Sequence, residues 1–136
     1  MRLGWLLAFT IGVAACSTTP VPSSSATPVP NSRIRAPELT RAEEGLALVV
    51  VTRDKSLTPI ACTAHLHVDG VQVAEMRPSE QIRLFLEEGT HLVGVRSSGC
   101  MGGADQTSID VSRRRPVLLR IANGTARSLT IQPSAF

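Results

Sequence analysis

Ala61-Cys62-Thr63-Ala64-His65-Leu66-His67-Val68-Asp69-Gly70-Val71-Gln72-Val73-Ala74-Glu75-Met76 is the stretch that decides the fold. Ala64, Leu66 and Val68 share one parity, and His65 and His67 share the other, so the first half reads as a half-buried strand. Asp69-Gly70 is the two-residue signature of a type I′ turn, which predicts a hairpin returning through Val71–Met76. Working outward, Leu46–Thr52 is almost continuously apolar, as a central strand buried on both faces should be. Ile82, Leu84 and Leu86 alternate with Arg83 and Glu87. Glu88-Gly89 turns the chain into His91–Arg96. Gln106–Val111, Val117–Ile121 and Leu129–Gln132 follow, the last two joined through Asn123-Gly124. Short β-branched runs separated by turn residues every 8–12 positions or so are the pattern of a sandwich. The expectation is an all-β, immunoglobulin-like or transthyretin-like two-sheet antiparallel sandwich of about eight strands, with a small barrel as the alternative.

Two segments carry a family likeness. His67-Val68-Asp69-Gly70-Val71-Gln72-Val73-Ala74, followed by Leu86-Glu87-Glu88-Gly89-Thr90-His91-Leu92-Val93-Gly94-Val95, resembles the small β-sandwich modules called PEGA-like. The likeness spans Ala61–Ser97, although the Pro-Glu-Gly-Ala tetrapeptide itself is absent. It implies a bacterial envelope protein or short lipoprotein and supplies no catalytic residues.

The N-terminus reads as an export signal. Arg2 gives a positive start, and the uncharged run Leu3–Ala15 would make a helix of about 20 Å, short of the roughly 30 Å hydrocarbon core. A cleaved signal fits better than a permanent span. Val13-Ala14-Ala15-Cys16 resembles the lipobox of bacterial lipoproteins, which implies a diacylglyceryl group on the Cys16 sulfur, cleavage before Cys16 and palmitate on its amine. An ordinary secretory peptide cleaved after Ala15 is the alternative. Ser17 stands where an Asp would favour inner-membrane retention, so the expected address is the outer membrane of the cell envelope, with the domain facing the periplasm. Two or three acyl chains anchor a protein stably where one does not.

Ser17–Pro37 holds five of the chain's nine prolines and almost no large apolar side chains. Such a composition offsets little ordering entropy, which predicts a disordered tether reaching on the order of 65 Å. Arg33, Arg35 and Arg41 within or beside it offer a weak attraction to anionic headgroups. Glu38–Glu44 has room for one helical turn. The expected organisation is therefore a signal peptide over 1–15, a lipidated cysteine with a Pro/Ser/Thr-rich tether over 16–44, and a β-sandwich over 45–136.

Charge and composition narrow the function. The formal net charge of the 136 residues is +3, too weak for a nucleic-acid partner. With Trp5 and Phe9 in the signal, only Phe85 and Phe136 remain as aromatics. Binding modes built on ring stacking are nearly excluded. Phe85 shares parity with Arg83 and Glu87, which places it either at an exposed spot or under a second apolar layer.

Cys62 and Cys100 form an even pair in an oxidising compartment, and the expected reading is a structural disulfide. Closing that loop stabilises by about 3–4 kcal/mol in the chain-entropy treatment. His65 and His67 sit two apart on one strand face and are weak metal candidates, with His91 or Asp69 as a third ligand; histidines facing solvent on the polar side of a hairpin are the favoured reading, so no metal is assigned. His91 is expected at a strand edge with a ring nitrogen on the backbone. Arg113-Arg114-Arg115 is the densest charge in the chain, expected as a solvated turn or as the contact for an anionic partner. The glycine-rich Gly99–Gly103 loop lacks the Lys-Ser/Thr pair of a phosphate cradle. Asn123-Gly124-Thr125 matches a glycosylation acceptor, but a hairpin turn explains it. No cofactor is implied. The expectation is a non-enzymatic envelope lipoprotein, held at the membrane through its lipid, that binds an envelope protein partner. The alternatives are a glycan-, peptidoglycan- or lipopolysaccharide-binding module, or an enzyme using Cys100 with a histidine.

Overall fold

The structure, a computed structural model, describes residues 20–56, 62–99, 103–123 and 128–135. Nine strands run in chain order: β1 Thr27–Pro28, β2 Leu46–Arg53, β3 Thr63–Val68, β4 Val71–Met76, β5 Glu80–Glu87, β6 Gly89–Ser98, β7 Ala104–Val111, β8 Val117–Asn123 and β9 Leu129–Pro133. They form a β-sandwich of one five-stranded sheet, ordered β1-β5-β2-β8-β9, and one four-stranded sheet, ordered β4-β3-β6-β7. Between the sheets lie Val49, Val51, Leu66, Val73, Met76, Leu84, Val93, Val95, Leu119 and Ile121, all essentially inaccessible to solvent.

Local chemistry explains the central hairpin. Asp69 and Gly70 both have positive φ, at 49° and 82°, as a type I′ turn demands. Along β3, Ala64, Leu66 and Val68 are buried while His65 and His67 face outward. The register shifts between Leu66 and His67, so that Ala74 faces Leu66 but Gln72 faces His67. This bulge leaves Val73 and Ala74 buried in succession and turns the Val73 carbonyl outward.

Two features depart from the expectation. The four-stranded sheet is antiparallel throughout, but the five-stranded sheet is mixed, because β2 pairs with β8 in parallel, Val49 opposite Val117. The chain builds β3 to β7 between these two strands, and that long crossover delivers β8 in the direction of β2. Hairpin signals report sequence neighbours and cannot show such a pairing.

The second departure is the Pro-rich segment, expected as a disordered tether. From Thr27 it is docked. Val29 and Ala36 are buried in the common core, and Ile34 and Leu39 pack against it. β1 pairs in parallel with the start of β5. The chain then crosses, through a 3-10 turn at Asn31–Arg33, to the edge of the other sheet, where Ile34 bridges Ala74 and the Arg35 and Ala36 amides donate to the Val73 carbonyl at 2.7 and 3.2 Å. A second 3-10 turn, Pro37–Thr40, stands where one helical turn was expected near Glu38. The segment is a strap over the open side of the sandwich, and the bulge supplies its anchor point. Apolar burial by a few small side chains, together with an ion pair described below, overrides a composition that reads as disorder.

Candidate functional site

The outer face of the four-stranded sheet is built in rows. Its register places Gln72, His67, Gly94 and Gln106 side by side across β4, β3, β6 and β7. The row above contains Glu75, His65, Arg96 and Ala104; Leu92 and Ser108 stand below. Gly94 therefore lacks a side chain at the centre of four neighbours: His67 and Gln106 across the strands, Leu92 and Arg96 along its own. The result is an open recess of about 270 Å³, lined also by Gly70, Ala104 and Asp105.

Hydrogen bonds fix the histidine tautomers around it. His67 Nδ1 donates to the His65 carbonyl at 3.1 Å, which in the neutral ring makes Nε2 the acceptor nitrogen. His65 accepts from the Gln72 amide at Nδ1 (3.1 Å) and donates from Nε2 to the Ser98 hydroxyl (2.7 Å). Glu75 is held below its usual carboxylate range first by the hydrogen bond from Arg35, at 2.9 Å, and by nearby positive charge. Arg96 is exposed and has no acidic partner among the described residues. Leu92, at 41 %, and Val71, at 61 %, are the exposed large hydrophobics among the described residues.

One corner of this face is locked by a second constellation. His91 donates from Nδ1 to Asp69 Oδ2 at 2.7 Å and from Nε2 to the Glu87 carbonyl at 2.8 Å. Two acceptors require both ring nitrogens to carry protons, so the imidazolium is the form that fits. Burial lowers its pKa, but the bonds to Asp69 and Glu87 and their charges outweigh burial, and the net shift is upward. Asp69 in turn accepts the Leu92 N–H at 2.9 Å and donates its own to the Leu92 carbonyl at 2.8 Å. That backbone bond, followed by the His91 contact, holds the Asp69 carboxyl below its ordinary value.

A buried ion cluster closes the far end of β2, and its role is structural. Glu80 is 7 % exposed; it pairs through both oxygens with Arg33 and accepts the Arg77 N–H at 2.7 Å. Arg33 Nη1 also reaches the Glu75 carbonyl at 3.1 Å, so the guanidinium joins the strap to β4 and β5. Asp54, 3 % exposed, takes a two-pronged pair from Arg120, with bonds of 2.5 to 2.8 Å. Arg53 is equally buried and donates to the Met76 carbonyl at 2.6 Å. Desolvation pushes its pKa down to about 10, against the opposing charge of Glu80.

The candidates read from sequence fall as follows. Cys62 is buried at the head of β3, while Cys16 and Cys100 lie outside the described residues, as does Gly124 of the last turn. The β3–β6 register pairs Thr63 with Ser98, two positions before Cys100 in the chain. His65 and His67 do face outward together, but Asp69 is engaged by His91. Among the described residues no group of three His, Cys, Asp or Glu side chains is placed to hold a metal. His91 stands near the start of β6, an interior strand and not an edge, and its Nε2 rests on a backbone carbonyl as expected. Arg113–Arg115 form an exposed turn in which the Arg113 N–H donates to Glu88 at 2.8 Å and its side chain pairs with the same carboxylate at 3.5 Å. Arg114 and Arg115 have no ion pair among the described residues. Phe85 is half-buried opposite Leu48 on the outer face of the five-stranded sheet, close to Val50, which is 5 % exposed. It is neither fully exposed nor part of the common core.

Sequence reasoning missed Gly94, Arg96 and Gln106. The available signal was a glycine inside the alternating stretch His91–Arg96, a position where glycine costs strand stability and calls for an explanation. No known protein family, curated protein or solved structure matches the chain.

Proposed function

We propose that the protein is a lipid-anchored envelope module that binds a partner non-covalently through the outer face of the β4-β3-β6-β7 sheet. The observation that carries this reading is the arrangement of the strap. It covers the side of the sandwich between β5 and β4, and leaves the face with His67, Gly94, Arg96 and Gln106 open. The anchor rests on Val13–Cys16, whose likeness to a lipobox supports acylation of Cys16 in the outer membrane, and the PEGA-like motifs lean the same way. With the chain docked from Thr27 onward, that part of it adds no reach between the membrane and the domain. A Cys62–Cys100 disulfide fits the burial of Cys62 and the β3–β6 register. Arg114 and Arg115 offer an additional contact for an anionic partner.

Metabolic labelling with a palmitate analogue, followed by affinity recovery after crosslinking in intact cells, tests the reading. Label on the wild type and none on Cys16→Ala, with repeated recovery of one envelope protein, is the expected result. Soluble, unlabelled wild type overturns the anchor. Specific hydrolysis of a substrate by the purified protein, abolished by a point change, overturns the non-enzymatic module.

A further inference from the structure

Gly94 poses a physical question that its backbone does not answer. It sits inside a strand, and its φ lies outside the left-handed region that favours glycine. A Cβ built there would meet the Asp105 carbonyl oxygen at 3.4 Å and Gln106 Cβ at 3.6 Å, both ordinary contacts. Neither backbone strain nor crowding excludes a side chain, yet glycine in a strand interior weakens the strand. The remaining reason for an open floor is close approach by something from outside.

The rim specifies what approaches. Arg96 presents a cation without an acidic partner among the described residues. His67 Nε2 presents an acceptor, because Nδ1 is committed to a carbonyl. Diagonal neighbours across two strands stand about 7–8 Å apart, a span bridged by a carboxylate and a nearby N–H, each reached by a hydrogen bond of about 3 Å. The Gln106 amide carries both a donor and an acceptor, matching a peptide group. His67 and Gln106 are separated by two strand spacings, roughly 10 Å, the width of one extended chain lying between them. Among the described residues no Phe, Tyr or Trp ring lines the recess to receive a sugar face.

We propose that the recess over Gly94 binds a free peptide C-terminus, with Arg96 taking the carboxylate and His67 Nε2 accepting the last amide N–H. The assignment rests on the module reading above and names the chemistry of its partner. The test is two-dimensional NMR of the isotopically labelled full chain in detergent micelles. Three probes are titrated: N-acetyl-alanyl-alanine as the free acid, the same peptide amidated at its C-terminus, and glucuronic acid. The free acid should give saturable shifts at Gly94 and Gln106, with the amidated peptide weaker by about tenfold or more. Arg96→Gln should reproduce that loss. Gly94→Leu should abolish binding while the other amide resonances keep their positions, which separates a filled recess from a misfolded chain. Equal binding of acid and amide, saturation by glucuronic acid instead of the peptide, or no saturable shift on the order of 10 mM overturns the proposal. An envelope partner recovered from cells without peptide binding overturns this ligand and spares the module; peptide binding without an envelope partner does the reverse.

Discussion

Replacing Glu80 by Gln should release the strap. The Glu80 carboxylate is 7 % exposed and answers two guanidiniums: Arg33, through both oxygens, and Arg53, whose charge it stabilises from nearby. It also caps the Arg77 N–H. Gln can keep one acceptor but turns an amide NH2 toward a cation, leaving Arg33 and Arg53 in a poorly solvated space without their counter-charge. Breaking a buried pair from one side costs about 3–5 kcal/mol, a large share of the roughly 5–15 kcal/mol that holds a domain together. Urea unfolding followed by circular dichroism measures the loss. Trypsin cleavage after Arg33 and Arg35 measures the strap itself, because docking of Val29, Ile34, Ala36 and Leu39 protects those bonds. Cleavage should accelerate in Glu80→Gln. The double variant Glu80→Gln with Arg33→Met should recover part of the stability, since it removes a stranded charge and keeps the apolar stem. A Glu80→Gln protein within about 0.5 kcal/mol of wild type and equally resistant to trypsin would refute the reasoning.

Three further outcomes are expected. The raised pKa of His91 gives stability that is complete below its unfolded value, 6.5, and fades as pH climbs through the folded one; the lowered pKa of Asp69 gives stability present above 3.8 and lost as pH falls. The unfolding free energy measured in urea should thus decline from pH 5.5 to pH 8.5 by under ~1 kcal/mol, because Asp69 is half exposed, and His91→Gln should flatten that decline. A decline of the same size in His91→Gln would place its origin elsewhere. Non-reducing mass spectrometry of exported protein should show Cys62 joined to Cys100, and reduction should cost about 3–4 kcal/mol; two free thiols in exported protein contradict the bond. Gly94→Thr should stabilise the sheet by up to ~1 kcal/mol while removing peptide binding, whereas a strong loss of stability would show that the fold itself requires the glycine.

The parts of this molecule written in local chemistry were readable. Asp69-Gly70 fixes its turn by backbone preference, and Ile82, Leu84 and Leu86 declare their buried face by period two, so both elements follow from their own residues. The docking of Thr27–Thr40 does not. It depends on Glu80 lying beside Arg33 and on a bulge that turns out the Val73 carbonyl, contacts made across some forty positions of chain. Prolines at 28, 30 and 37 signal extended chain equally well whether it is solvated or strapped to a sheet. The parallel pairing of β2 with β8 is hidden for the same reason. The recess was half visible: outward-facing His65 and His67 follow from alternation, but their meeting with Arg96, Gly94 and Gln106 depends on register across four strands.

A photo-crosslinking residue placed at Gln106, in the open sheet face, tests the account most directly when compared with one at Glu43, an exposed position outside that face. In intact cells the account predicts one defined adduct with an envelope protein from position 106, absent from position 43 and lost when Cys16→Ala removes the anchor. Adducts that are the same from both positions, or that arise only from position 43, would contradict it.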